Sequence, residues 1–499
     1  GGTISDNKSL SGKGIGGGVF IANHGTFNMS GGEITQNGAK IGGGVFVGGY
    51  YGANTTEKEN DANYGGTFHM SGGSITGNTA GSGVYVNYYP TTFTVSGTAQ
   101  ITGNRYAGET RNVYLSKGTI GSNVTYANPI EVGTLASSAS IGVTTAKVGQ
   151  TVATGVSRAA KGCFTPDNSS KYRLQYDNDV QTLTMIAATH ENHPICGASC
   201  THDGKHTGES WTPISDLSEI KGNGNYYLTD NVKLTASWTS GSYNGRNVKL
   251  CLNGFDIIAN VDDSAIKLST YDGNTLTLCD CVGSGEITHG VKADGSKYTG
   301  AGVEVPGKQT FNMYGGTITG NSAGGDNTLY GSGGGVYVKG GTFNMTGGKI
   351  TGNNIVIGSG NVEGGGVNVF KNATMSVSGN VQITGNWQGG TLNAKTGVYE
   401  KDGGSANNLC LYSYENVQKT VAINRDLTGA KIGVTTCLTP TVEKPIQIAT
   451  GAQDSVDYTE IFTPDVTDYT VTKDGTTLYL SAHTHVWSYT VSENGKTIT

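Results

Sequence analysis

Short apolar runs alternate residue by residue with polar ones along most of this chain, and glycines divide the runs at fixed offsets. The first copy reads Val19-Phe20-Ile21, then Thr26-Phe27-Asn28-Met29, then Glu33-Ile34-Thr35. A period of two is that of a half-buried strand, one residue inward and the next outward. Glycine pairs such as Gly17-Gly18 and Gly31-Gly32 separate the runs and permit sharp corners. The full phrase, GGGV-x-V followed by GTFNMSGG-x-ITGN, spans Gly16 to Asn37 and Gly42 to Asn78. It returns from Gly333 to Asn353 and, more loosely, from Gly364 to Asn386. Three strands and three corners in about 26 residues describe one coil of a parallel β-helix. The predicted fold is all-β, a parallel solenoid.

Stacking the coils turns residues into columns. The predicted inward columns are Val19, Val45 and Val84; Phe27, Phe68 and Phe93; and Ile34, Ile75 and Ile101. Val336 and Val367, Phe311 and Phe343, and Ile318, Ile350 and Ile383 repeat them later in the chain. At ~25 cal/mol per Å² of buried apolar area, each Phe or Ile contributes about 1.5–3 kcal/mol. A polar column runs through Asn7, Asn37, Asn78 and Asn104, then Asn321, Asn353 and Asn386. Asparagine tolerates left-handed corners, and its amide can bond the amide above, so this column reads as a structural ladder.

A longer repeat overlies the coils. Ile101 to Asn104 returns at Ile383 to Asn386, Ile141 to Thr145 at Ile432 to Thr436, and Phe164 to Asp167 at Phe462 to Asp465. Landmarks in the same order imply two tandem modules of roughly 290 residues, the first truncated at its N-terminus. Residues 1–186 are the C-terminal part of the first module. Residues 187–240 are a His/Cys-rich opening segment and cap, and 241–481 the second β-helix module. Residues 482–499 begin a further module or linker. Within the opening segment, Thr207 to Tyr227 reads as a short helical or irregular lid with a cap at Ser215. From Asn408 onward the glycine pairs disappear, which predicts a closing β element.

Composition narrows the function classes. Glycine accounts for 81 of 499 residues and only 35% are hydrophobic, enough for the thin core of a solenoid. A net charge of −6 with 14% charged residues argues against nucleic acid and polybasic membrane anchors. No apolar run reaches the length needed to span a bilayer. Gly1-Gly2-Thr3-Ile4 already matches the repeat, so the chain reads as a fragment of something longer. Eight cysteines and many exposed Asn, Thr and Tyr fit an extracytoplasmic setting.

Outward positions carry the candidate chemistry. Phe20, Phe46 and Tyr85 form an aromatic stripe on consecutive coils, beside Tyr88 and Tyr89. Such a stripe either stacks on sugar rings or packs under the long loop from Gly48 to Gly66. Glu304, Tyr337 and Asn368 replace it in the second module. The densest cluster is His190, His193, Cys196, Cys200, His202 and His206. Two readings fit it: a structural zinc site, and a Cys196–Cys200 disulfide with solvated histidines around it. Cys251 and Cys279 share the outward phase one coil apart, within reach of a disulfide, although two simple thiols beneath the lid would give the same sequence. Carbohydrate hydrolysis would need converging carboxylates, yet Glu57, Glu59, Asp61, Asp294, Asp326 and Glu363 scatter into loops.

The phrases Leu250-Cys251-Leu252-Asn253-Gly254, Gly333 to Val338 and Gly341 to Asn353, with the His190–His206 opening, resemble the adhesin-like right-handed parallel β-helix surface proteins of gut Firmicutes. That resemblance implies a right-handed coil and an extracellular adhesin or stalk on a bacterial cell surface. The resemblance says little about the ligand; the expected partners are a host glycan or mucin and neighbouring modules of the same chain, with no catalytic role expected of the modules seen. The alternatives are a carbohydrate-active β-helix enzyme, a polysaccharide lyase or glycosidase, and a purely structural spacer.

Overall fold

The computed structural model describes residues 1–9, 14–48, 65–88, 91–120, 123–169, 171–178, 180–188, 210–241, 243–324, 333–356, 364–394, 396–414 and 417–483. These residues form long parallel sheets, an all-β parallel solenoid without a closed barrel. Among the described residues no helix is long and apolar enough to cross a membrane. The chain divides into two compact units, Gly1–Glu191 and Asn192–Thr499, each with its own apolar core.

In the first unit Val19, Val45, Val84 and Val113 pair in parallel register. Ile34, Ile75 and Ile101 make a second column, and Phe27, Phe68 and Phe93 a third. The phenyl rings stack with centroids 5.4 and 5.0 Å apart. The second unit repeats the arrangement with Val303, Val336 and Val367; Ile287, Ile318, Ile350 and Ile383; and Phe311 with Phe343. Apart from the half-buried Val19 and Phe27, these side chains are out of contact with water.

One local feature departs from the expected three separate strands. Thr26–Thr35 and Thr67–Thr76 each run unbroken through the glycine pair, with a register shift at that point. Thr342–Thr351 does the same, and its partner Thr374–Ile383 runs unbroken through Gly379-Asn380. Gly32 and Gly73 have φ of +84° and +85°, so the second glycine bends the strand as a bulge while pairing continues on both sides.

The asparagine column is a ladder, as its spacing predicts. Asn7 donates its backbone N–H and its amide N–H to Asn37 Oδ1 at 3.0 and 2.9 Å. Asn37 does the same to Asn78, and Asn78 to Asn104. The second amide hydrogen of Asn78 goes back to the Ile34 carbonyl at 2.9 Å. Amides buried at 0% exposure thus keep their hydrogen bonds, which is the condition for burying them at little cost. Each amide fits because the facing residue is glycine: a Cβ on Gly83 would collide with the amide of Asn104. The GGGV and ITGN phrases are two halves of one corner.

Both ladders end in the same way. Asn104 passes to Asn112, and Asn112 donates its backbone and amide N–H to the two oxygens of Asp167. In the second unit Asn321, Asn353, Asn386 and Asn408 lead to Asp465. Each carboxylate also accepts a threonine hydroxyl, from Thr144 at 2.6 Å and from Thr435 at 2.7 Å. An acceptor-only group suits a last step that receives hydrogens and has no further amide to pass one to. Burial pushes both carboxyls above the usual range, opposed by the hydrogen bonds they accept.

The ends are closed by antiparallel hairpins. Tyr172–Asp177 and Thr182–Ala187 pair with each other, and the latter with Thr151–Thr154. Tyr469–Asp474, Thr477–Ala482 and Ile446–Thr450 repeat this in the second unit. The closing element expected from Asn408 onward therefore comes later, because Leu409–Leu411 is still a parallel strand between Val367–Val369 and Lys431–Thr436. At the other end of the second unit, the expected lid is the strand Thr212–Ile214 followed by a 3-10 turn, Leu217–Glu219. Its cap is Asp216 rather than Ser215: Asp216 accepts from Ser218 N, and Glu219 reaches back to the Asp216 N–H. Ile214, Leu217 and Ile220 are buried against the first coil.

Candidate functional site

The aromatic stripe is present, but its faces are occupied. Phe20, Phe46, Tyr85 and Tyr114 stand in register on four consecutive strands. Phe46 lies stacked between Phe20 at 5.3 Å and Tyr85 at 5.6 Å. It is 1% exposed, so the expectation that it is open to a ligand is corrected: outward phase does not mean exposure where neighbours cover the ring. The Arg111 guanidinium sits over Tyr114 at 4.1 Å and closes that end of the stack. Tyr85 and Tyr88 are half-buried, and Phe20 keeps an exposed face at 48%. Tyr89 lies outside the described residues.

The candidate zinc ligands His190, His193, Cys196, Cys200, His202 and His206 also lie outside the described residues. Among the described residues no cluster of His, Cys, Asp and Glu is arranged to hold a metal ion. Cys251 and Cys279 are in register, as predicted, on Asn247–Cys251 and Thr275–Cys279. The expected disulfide between them is not formed: both are buried thiols, and Cys251 Sγ lies 3.6 Å from Cys281 Sγ instead.

The second unit offers a different surface. An open groove of about 990 Å³ crosses the corners that follow five consecutive strands, at Gly241, Leu268 to Tyr271, Pro306, Lys339 and Asn372. The strands feeding it are in register through Thr239, Lys267, Glu304, Tyr337 and Asn368. Five corners at the 4.7–4.9 Å strand spacing give a trough about 19 Å long, parallel to the stacking direction.

Its lining is cationic in a chain of net charge −6. Arg246 contributes a guanidinium that is 7% exposed and held by donation from Nη2 to the Ile220 carbonyl at 2.6 Å. Its Nε has no hydrogen-bond partner, and among the described residues no carboxylate forms an ion pair with it. The guanidinium lies 5.6 Å over the ring of Tyr243, which is 46% exposed. Lys339 is exposed at the wall, and Tyr271 presents an open ring at 48% exposure.

Among the described residues Glu304 is the sole carboxylate in the lining, and it is already engaged. It accepts from Ser264 Oγ at 3.3 Å and lies 4.0 Å from Lys267 Nζ. Lys267 itself pairs with Asp263 at 2.5 Å. Beside it, burial and the Glu304 charge push the Tyr337 phenol far up, and Tyr337 stays neutral. Glycoside hydrolysis commonly uses two carboxyl groups, and among the described residues the lining presents one.

No family model, curated protein or solved structure matches the chain. The groove must be read from its own chemistry. Sequence reasoning noticed Glu304 as a break in the aromatic stripe but missed Arg246, Tyr271 and Lys339. They sit at corners, where no period marks them, and only the register of the preceding strands brings them together.

Proposed function

We propose that the chain is part of an extracellular, repetitive adhesin or stalk on a bacterial cell surface. In this reading the groove of the second unit holds a saccharide chain along the stacking direction. The ligand is a host glycan or mucin bearing carboxylate or sulfate groups. The observation that carries this is the open, cation-lined trough across five corners, with the Tyr271 ring exposed within it. A trough that repeats with the strands suits a polymer better than a compact metabolite. Exposed tyrosine supplies a face for a sugar ring, and Arg246 with Lys339 supplies charge for its anionic groups.

The test is binding of the full chain to immobilised polygalacturonate, sulfated dextran and neutral dextran. Preference for the two anionic polymers by about tenfold or more is expected, weakening as salt is raised. Tyr271→Ala and Lys339→Gln, both at exposed positions, should each reduce that binding. Equal binding to all three polymers would remove the anionic specificity. Absence of binding to any would leave the chain a spacer, and release of shortened oligosaccharides would make it an enzyme.

A further inference from the structure

Two thiol pairs in the second unit share a layout that the adhesive reading does not use. In each, a buried thiol on a strand faces a half-exposed thiol at the corner one coil later. Cys251 closes the strand Asn247–Cys251 at 0% exposure, and Cys281 lies two residues beyond Thr275–Cys279. Cys410 sits at the centre of Leu409–Leu411 at 3% exposure, and Cys437 directly follows Lys431–Thr436. The sulfur–sulfur distances are 3.6 Å for Cys251–Cys281 and 3.9 Å for Cys410–Cys437. These are contact distances, from which a small side-chain rotation reaches bonding range. We infer that Cys251–Cys281 and Cys410–Cys437 are disulfide-forming sites, each tying a coil to the next corner.

Access decides the order of events and the choice of partner. Cys279 is in register with Cys251 but fully buried beneath Tyr227, Trp211 and Tyr314, so no external oxidant reaches either thiol of that pair first. Burial also pushes the Cys251 and Cys279 thiols up, which keeps them protonated. Oxidation begins at the corner. The Cys281 thiolate attacks one sulfur of a small disulfide such as oxidised glutathione. The small disulfide breaks, one thiolate leaves with the proton shed by Cys281, and a mixed disulfide remains. Cys251 then gives up its proton to the departing small thiolate as its Sγ displaces that thiol from Cys281 Sγ. This is the slower of the two steps because burial holds the Cys251 thiol protonated. Two protein thiols are oxidised and one small disulfide is reduced to two thiols. Cys437 and Cys410 follow the same course. Cys163 has no such neighbour among the described cysteines; its Sγ faces the Ala136 carbonyl at 3.6 Å.

The experiment is peptide mapping by mass spectrometry of the full chain after incubation with oxidised glutathione, with and without later reduction. Cross-linked peptides Cys251–Cys281 and Cys410–Cys437 are expected, each about 2 Da lighter than its reduced parts. Cys281→Ser should abolish the first cross-link and spare the second, and Cys437→Ser the reverse. A Cys251–Cys279 cross-link would overturn the pairing. Glutathione persisting on Cys281 or Cys437 without a cross-link would overturn the proposal, as would thiols that stay reduced. None of these outcomes depends on whether the groove binds a saccharide.

Discussion

The two units differ least where the chain faces inward and most where it faces outward. Both stack valine, isoleucine and phenylalanine columns, both run an asparagine ladder, and both end it on an aspartate. Their outward columns at the same strand share almost nothing. The first carries Phe20, Phe46, Tyr85 and Tyr114; the second carries Lys267, Glu304, Tyr337 and Asn368. Register and burial constrain the interior to a few residue types, whereas an outward position must satisfy only its neighbours along the column. In the first unit those neighbours are rings that consume one another's faces. In the second they are mixed charges that leave Tyr271 and Lys339 open.

Substitutions that break the shared interior should have the largest effects and treat the units alike. Phe68→Ala and Phe343→Ala each remove a fully buried ring from a stack. Each should cost about 3–5 kcal/mol, read from chemical denaturation. A large cost in one unit and little in the other would break the equivalence. Asn78→Ala and Asn353→Ala come next. Each strips partners from the ladder step before it and the one after, Asn37 with Asn104 in one case and Asn321 with Asn386 in the other. A loss of about 2–3 kcal/mol is expected for each, with faster hydrogen exchange at the neighbouring asparagine amides.

The outward faces should separate the units. Tyr271→Ala should weaken binding to anionic polysaccharide about tenfold and leave the unfolding midpoint in place. Phe20→Ala should do the opposite, costing about 0.5–1.5 kcal/mol of ring stacking and nothing in binding. Loss of binding in the Phe20 variant would move the site to the first unit.

The smallest effect concerns the ladder ends. Asp167 and Asp465 have folded pKa values above the ordinary 3.8, so each carboxyl favours the protonated form more in the folded chain than in the unfolded one. Their contribution is therefore complete below about pH 3.8 and declines as pH rises through the folded value. Relative to Asp167→Asn, which does not titrate, the parent chain should lose thermal stability as pH rises from about 3.8 through the folded value. A difference that grows with pH would reverse the sign assigned to burial.

Much of the interior was legible because repetition averages over noise. Phe27, Phe68 and Phe93, or Asn37, Asn78 and Asn104, recur in one phrase, and a stacked coil is what puts equivalent residues in contact. Asn112, Asn408, Asp167 and Asp465 occur once per unit. The FTPD landmark marked the repeat without disclosing that its aspartate receives the ladder. Outward phase could be read for Phe46, but its exposure could not, since that depends on what the flanking rings cover. The groove was hidden for a related reason: its residues come from corners far apart in sequence and belong to no period.

The carboxylate at the foot of each ladder has a consequence for how such chains grow. A column of amides is indifferent to its own height, since every step hands the same pair of hydrogens onward. Only the final acceptor differs. A turn can therefore be gained or lost by recombination upstream of that acceptor without redesigning either extremity. Reach becomes a trait that slippage between near-identical phrases can tune.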